Sequence, residues 1–473
     1  MPKKYSIDVT PTPPRYPPVG KFEIEREENC INCGRCAMAC VYEVHKRQEE
    51  DPRCMAEPVD YRCKGCFSCI QECPREALTI RENKEYPKLG DSYWTPEIIS
   101  SNWYQAETGK IPVSGAGYRG PFSGEGFDSM WTDMSEIVRP TRDGIHGREY
   151  ISTAVDVGRK LPAIKLDSQG EIASPILPPA LSIPLPIIFN TPPFGRYENV
   201  YEAMAKAASF LGTFMIVDPD EWFNKNYKAN LVPLLTSQTF KKSLAKNTVL
   251  SKDLIKRCKM VEFEYEEDVL RVVNDAKKLN PATVISVRVP FGNNTAEIVE
   301  ELTYAGVEVV HLYADINGRA FSSEQGFIKD MTLNVHNHLV DLKIRDDVTL
   351  IASGGIAMAE HVAKSIICGA DLTAIDLPLL FALEYRYCKD CPDDLSSPVE
   401  LKNVNPLWGA QRIINLIGAW RNQLLEVLGA MGLREVRRLR GEVGRAIFIE
   451  EIEKETFGKV FVYGGAYDEN TSD

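Results

Sequence analysis

Hydrophobic positions follow no steady period over the first 180 residues, and they do from residue 181 onward. There, short apolar, β-branched runs alternate with amphipathic stretches. A short apolar run bounded by turn residues predicts a buried strand, and a 3.6-residue period predicts a helix laid against it. The predicted strands are IPLPIIF (183–189), TFMIVD (213–218), NLVPLLT (230–236), MVEFEY (260–265), TVISVRV (283–289), VEVVHLY (307–313), VTLIASG (348–354) and LTAIDLP (372–378). Eight strands, most followed by a helix, predict the α/β class and a (β/α)8 TIM barrel. The chemistry of such a barrel sits on the loops after the strand C-termini. The last stretch, including WGAQRIINLIGAWRNQLLEVLGAMG, predicts helices packed on the outside.

The aperiodic part divides by composition. Residues 1–24 predict an extended arm, since PTPPRYPPVG is too rich in proline for a helix or a sheet interior. Residues 25–83 hold nine of the thirteen cysteines. Residues 84–180 predict an irregular connecting segment, followed by the barrel (181–400) and C-terminal helices with a tail (401–473).

The cysteines form two matching runs. One is Cys30-x2-Cys33-x2-Cys36-x3-Cys40, and the other is Cys63-x2-Cys66-x2-Cys69-x3-Cys73, followed by Pro74. This is the bacterial ferredoxin spacing, in which three close thiolates take three corners of a cubane and the fourth cysteine of each run ligates the other cluster. The expected ligands are Cys30, Cys33, Cys36 and Cys73 for one [4Fe–4S] cluster, and Cys63, Cys66, Cys69 and Cys40 for the other. Structural zinc is the competing reading, but it leaves the third cysteine of each run unexplained. The expected architecture is thus an N-terminal 2x[4Fe–4S] ferredoxin-like domain followed by a TIM barrel. Cys54, Cys258 and Cys368 read as plain thiols.

Charge narrows the function classes. A formal net charge of −12 argues against sequence-independent nucleic-acid binding. No run approaches the ~20 apolar residues of a membrane span, and the N-terminus carries no signal-peptide pattern. A cytoplasmic location with metal or redox use of the cysteines is expected.

In the loop ASGGIAMAEHVAKSIICGAD, Ser353-Gly354-Gly355 ends a strand before a helix. Paired glycines let backbone N–H groups approach a phosphate, and a phosphate site after strands 7 and 8 is common in barrels. A tight turn is the alternative. RPTRDGIHGREY (139–150) reads as an anion-ordering segment or a solvated loop. REVRRLRGEVGR (434–445) reads as a docking surface or a salt-bridged helix.

With these parts in place, the chain resembles the archaeal-type glutamate synthases, ferredoxin-domain proteins fused to an FMN-binding barrel. The resemblance rests on the cluster runs, YWTPEI (93–98), PIIF opening the barrel, SVRV (286–289), SGGIAMAEHVAKSIICGAD and LLEVLGAMGLREVRRLRGE. It implies that clusters feed electrons to FMN, which reduces the imine formed from 2-oxoglutarate and ammonia. It assigns FMN to Arg288, Ser353, Gly354 and Gly355.

Several loops depart from the family pattern: NTPPFG (190–195), VDPDEW (217–222), EYEEDVL (264–270) and DINGRAFSS (315–323). Arg288 replaces the family's lysine. Asp376 stands in the last phosphate loop, with Arg319 as a candidate counter-charge. Beyond the last strand only Cys388 and Cys391 remain of a possible third-cluster set. The lost substrate loops argue against glutamate synthesis. The expectation is an iron–sulfur flavoprotein oxidoreductase within a larger redox complex, oligomeric, exchanging electrons with other redox subunits or a ferredoxin-type carrier. The alternatives are a flavin-less electron-transfer or assembly subunit with a degenerate barrel, and a true glutamate synthase with a separate glutaminase.

Overall fold

The computed structural model of the chain describes residues 7–111, 124–132, 150–160, 168–171, 178–244, 256–321, 326–388, 400–449, 451, 452 and 454. Residues 139–149 and Cys391, singled out above, lie outside the described residues.

A closed barrel of eight parallel strands forms the centre, in the order of the chain. Its strands are Ile187–Phe189 (β1), Met215–Val217 (β2), Leu231–Leu235 (β3) and Met260–Glu264 (β4). Val284–Pro290 (β5), Val309–Tyr313 (β6), Thr349–Ser353 (β7) and Leu372–Ile375 (β8) complete it, and β8 pairs with β1. Each lies within its predicted run except β5, which runs one residue beyond it to Pro290. One run is split: Ala180–Ile183 leaves the barrel and pairs antiparallel with Val155–Gly158, while only Ile187–Phe189 enters it. Pro184 and Pro186 stand between, and neither has an N–H to give to a ladder. Helices follow every strand except β2, which is followed by the single turn Lys225–Tyr227.

The segment expected to be irregular contains a helix, Pro96–Thr108. Thr95 caps it by accepting the Ile98 N–H, Pro96 presets its first turn, and Gly109 closes it at φ 67°. Its apolar side chains, Ile98, Ile99 and Trp103 among them, are buried in the main core. The aromatic and polar composition hid a periodicity that the caps announce.

The long helix Pro406–Ala430 packs against Pro96–Thr108 and against Glu198–Leu211, the helix after β1. The basic tail segment is not a salt-bridged helix. It forms short turns, Val436–Leu439 and Val443–Arg445. There Arg440 pairs with Asp346 and Asp371, and Arg437 pairs with Asp156. Its charges fasten the tail to the barrel instead of forming i,i+4 pairs. Among the described residues, no helix is long and apolar enough to cross a membrane.

The cysteine-rich part is a small unit with its own core, Ile24, Val44, Met55 and Leu78 packed with Cys36, Cys63 and Cys69. Strand Phe22–Arg26 pairs antiparallel with Leu78–Glu82, and the short helices Arg35–Ala39 and Ser68–Gln71 carry the third cysteine of each run. The arm before it lies along the body. Asn415 binds Thr10, Arg412 binds the Thr12 carbonyl, and Glu384 binds Arg15. Arg62, next to Cys63, pairs at 2.5 Å with Glu107 of helix Pro96–Thr108. The second cysteine run is thereby anchored to the helix that leads into the barrel body.

Candidate functional site

The two cysteine runs fold alike. Asn32 and Gly34 flank Cys33 at φ 54° and 78°, and Gly65 and Phe67 flank Cys66 at φ 66° and 59°. Left-handed residues on both sides of the middle cysteine curl each run around a hollow. Phe67 adopts this conformation without being glycine, at a cost of about 1–2 kcal/mol. Cys30, Cys33, Cys36 and Cys73 line one hollow, with Arg26, Met55 and Leu78. Cys40, Cys63, Cys66 and Cys69 line the other, with Ile24, Val44 and His45. The fourth cysteine of each run has crossed to the other run's hollow.

The donor set fits a cubane cluster. Tetrahedral zinc at Zn–S ≈ 2.3 Å requires its sulfurs about 3.8 Å apart. Among the described residues, no three cysteine sulfurs lie within 4.8 Å of one another. Burial, then the neighbouring Cys63, Cys40 and Cys66, pushes the Cys69 thiol up to about 11. Four thiolates share such a hollow only when a metal cation offsets their charge. Backbone N–H groups already point at sulfur, Gly65 to Cys63 at 3.5 Å and Ala77 to Cys73 at 3.3 Å. Cys258 and Cys368 are buried and outside any disulfide, and Cys54 Sγ lies 3.6 Å from Asp51 Oδ2.

The second group of interest lies inside the C-terminal half of the barrel. Glu262 (β4) is fully buried and accepts from Arg288 Nε (β5) at 2.7 Å and from Ser286 Oγ at 2.9 Å. Arg288 Nη2 donates to Asn190 Oδ1, just after β1, at 2.7 Å. His311 (β6) places Nδ1 3.1 Å from Glu262 Oε2, and Nε2 2.7 Å from Ser353 Oγ at the end of β7. Burial alone would raise the Glu262 carboxyl, but Arg288 and then His311 outweigh it and hold it at about 2. Burial lowers His311 against the opposing pull of Glu262, which favours the neutral ring. A carboxylate only accepts, so Nδ1 carries the His311 proton and Ser353 donates to Nε2. The order carboxylate, imidazole, hydroxyl suits a nucleophile. Ser353 is fully buried, however, so the arrangement fixes side chains and attacks nothing.

Two of the four residues assigned to FMN, Arg288 and Ser353, are thus joined through Glu262 and His311. Sequence reading missed Glu262, His311 and Asn190. The signal was a polar residue inside otherwise apolar strands, VEFE and VVHLY.

Gly354 and Gly355 are also engaged. Both have positive φ, 98° and 67°, and a Cβ on Gly354 would sit 2.5 Å from the Asp315 carbonyl oxygen. Gly355 N–H donates to Ile316 O at 3.2 Å, and its carbonyl accepts from the Tyr93 hydroxyl. Ala357 N–H donates to His361 Nδ1 at 3.1 Å. In the last loop Leu377 N–H donates to Asp376 Oδ1 at 2.6 Å, and Pro378 has no N–H. Burial raises Asp376 to about 6, with the Leu377 N–H and Arg288 opposing. Arg319 does not offset Asp376; it extends to the exposed Glu125 instead. Three of the backbone donors near such a phosphate, on Gly355, Ala357 and Leu377, are used within the chain, and the Asp376 carboxyl stands among them. Those internal bonds and the Asp376 carboxyl compete with an FMN phosphate in the assigned position.

The family model described as "Conserved region in glutamate synthase" matches residues 245–434. The archaeal-type glutamate synthase [NADPH] of Dehalococcoides mccartyi is 25% identical over 89% of this chain and 94% of its own length. The archaeal glutamate synthase [NADPH] of Archaeoglobus fulgidus is 25% identical over 93% of this chain and 96% of its own length. This chain is similar to the archaeal-type glutamate synthases over most of its length. Among solved structures, a flavocytochrome b2 variant with sulfite bound matches with a TM-score of 0.44 at 11% identity, covering 82% of this chain and 89% of that one. A mandelate oxidase variant matches with a TM-score of 0.39 at 14% identity, covering 66% of this chain and 97% of that one. The match to the glutamate synthases spans both the cysteine-rich unit and the barrel.

Proposed function

We propose that this glutamate synthase relative is an iron–sulfur oxidoreductase that passes single electrons through two [4Fe–4S] clusters, works within a larger redox assembly, and does not make glutamate. The observation that carries this is the crossing of Cys73 and Cys40 into opposite hollows, each lined by four cysteines. Crossed ligation holds two clusters close in one rigid unit, which suits one-electron transfer. The Arg62–Glu107 pair ties the second run to the barrel body, so the barrel side is where electrons enter or leave.

FMN remains the electron acceptor that the kinship supports, because a flavin takes electrons singly from clusters and exchanges them in pairs. Arg288 and Ser353 stand at the barrel end where it would lie, while the engaged loop donors and Asp376 favour a barrel without flavin.

Anaerobic purification, followed by acid extraction and measurement of iron and FMN, tests the reading. About eight irons per chain are expected for two [4Fe–4S] clusters. FMN near one per chain would make the protein a cluster-to-flavin oxidoreductase. Eight irons without flavin, even after FMN is added, would make it an electron-transfer subunit. Zinc in place of iron, or glutamate formed from 2-oxoglutarate, would overturn the proposal.

A further inference from the structure

Two side chains that line the cysteine hollows carry buried nitrogens without a partner. Arg26 lines the hollow of Cys30, Cys33, Cys36 and Cys73. Its Nη1 is held by the Ala56 carbonyl at 2.9 Å and the Met55 carbonyl at 3.3 Å, but Nε and Nη2 are buried without a partner. His45 lines the hollow of Cys40, Cys63, Cys66 and Cys69, is only 3% exposed, and has no partner on either ring nitrogen. A buried polar group left unsatisfied costs about 1–3 kcal/mol. Two such groups, one at each hollow, have a common explanation: the acceptor is the sulfur of a cluster.

We infer that Arg26 and His45 set the two clusters apart in potential, with the Arg26-side cluster the more readily reduced. This rests on the two-cluster reading above. Reduction adds a negative charge to a cluster, and potentials follow local charge and hydrogen bonds to sulfur. A guanidinium supplies a fixed positive charge and charge-assisted bonds about twice as strong as neutral ones. An imidazole carries no permanent charge and, when neutral, a single N–H. The outer cations are exposed and so more screened than Arg26, including Arg47, whose Nη2 holds the Cys33 carbonyl at 3.3 Å. Arg75 lines the first hollow and Lys64 the second, and both are exposed. An electron entering the unit therefore rests on the Arg26 side. It moves to the His45 side, the one tied to the barrel through Arg62, only when it is drawn onward.

Both Arg26 and His45 act on the reaction only through the clusters and are positioning residues. The test is a potentiometric titration of the full, iron-loaded chain, following the reduced clusters by electron paramagnetic resonance. The unaltered chain should show two separate waves. Arg26→Gln should lower the higher wave and shift the electron's distribution between clusters about tenfold, ~59 mV for one electron. Arg26→Lys, which keeps the charge, should leave that wave nearly in place and control for folding. His45→Leu should lower the other wave by less. Coincident waves in the unaltered chain, or an unmoved upper wave in a fully loaded Arg26→Gln protein, would overturn the inference and leave the clusters standing. A chain that takes up no iron would instead fail the cluster reading, and the inference with it.

Discussion

Arg288 Nε donates to Glu262 at 2.7 Å inside the barrel, where the glutamate side chain is fully buried and the arginine side chain is 8% exposed. Removing one member of such a pair strands the other's charge in a poor solvent. Arg288→Met is expected to destabilise the chain by about 3–5 kcal/mol, and the double variant Glu262→Gln/Arg288→Met to recover a large part of that loss. Denaturant midpoints of the full-length variants measure both. Equal losses in the single and double variants would mean that the pair does not hold the barrel.

Asp376 works in the opposite direction. Its carboxyl is raised to about 6 by burial, against an unfolded value near 3.9. The folded state thus holds its proton more tightly. The favourable contribution is complete below pH ~4 and is lost as pH rises through about 6. Asp376→Asn keeps an oxygen for the Leu377 N–H and removes the ionisation penalty. The variant should be more stable than the unaltered chain by up to about 3 kcal/mol at pH 7.5, with about half that gain at pH 5. Denaturation at the two pH values checks the slope, and a pH-independent difference would refute the assignment.

Asn415 is fully buried and joins three parts of the chain. Its Nδ2 donates to Thr10 O at 2.7 Å and Ala106 O at 3.0 Å, while its Oδ1 accepts from Thr10 N–H at 3.1 Å. Leucine has a similar volume but leaves those backbone groups unsatisfied, at about 1–3 kcal/mol each. Asn415→Leu should loosen the arm, so that trypsin cuts after Arg15 sooner than in the unaltered chain. Mass spectrometry of a timed digest reads this directly.

What was legible in the sequence depended on whether the signal was local. All eight barrel strands were, because fully buried parallel strands read as continuous apolar runs. The crossed cysteines were, because the spacing carries the geometry. The helix Pro96–Thr108 was not, since its buried face includes Asn102, Gln105 and Glu107 and its periodicity is blurred. Its caps, Thr95 with Pro96 and then Gly109, were the available clue. The Glu262–Arg288–His311–Ser353 network was invisible for a different reason: its members sit on four strands, and only the parallel pairing of those strands brings them together. The engagement of Gly354 and Gly355 is likewise a long-range fact. A glycine pair before a helix looks the same whether it meets a phosphate or the 314–318 loop.

The crossing of the fourth cysteines yields a sharper test than single substitutions, because losing any one ligand weakens one cluster under either connectivity. Pairs of substitutions separate the cases. If Cys73 completes the cluster of Cys30, Cys33 and Cys36, both changes in Cys30→Ser/Cys73→Ser fall on one cluster, and about half the iron should remain. In Cys30→Ser/Cys40→Ser the changes fall on different clusters, so iron should drop well below half and the reduced-cluster signals should largely disappear. Connectivity within each run predicts the reverse ranking. Cys63, Cys66, Cys69 and Cys40 line their hollow without help from Cys30 or Cys73, so the surviving cluster in the first double variant keeps all its ligands. Iron per chain in the two double variants, purified side by side without oxygen, decides between the connectivities.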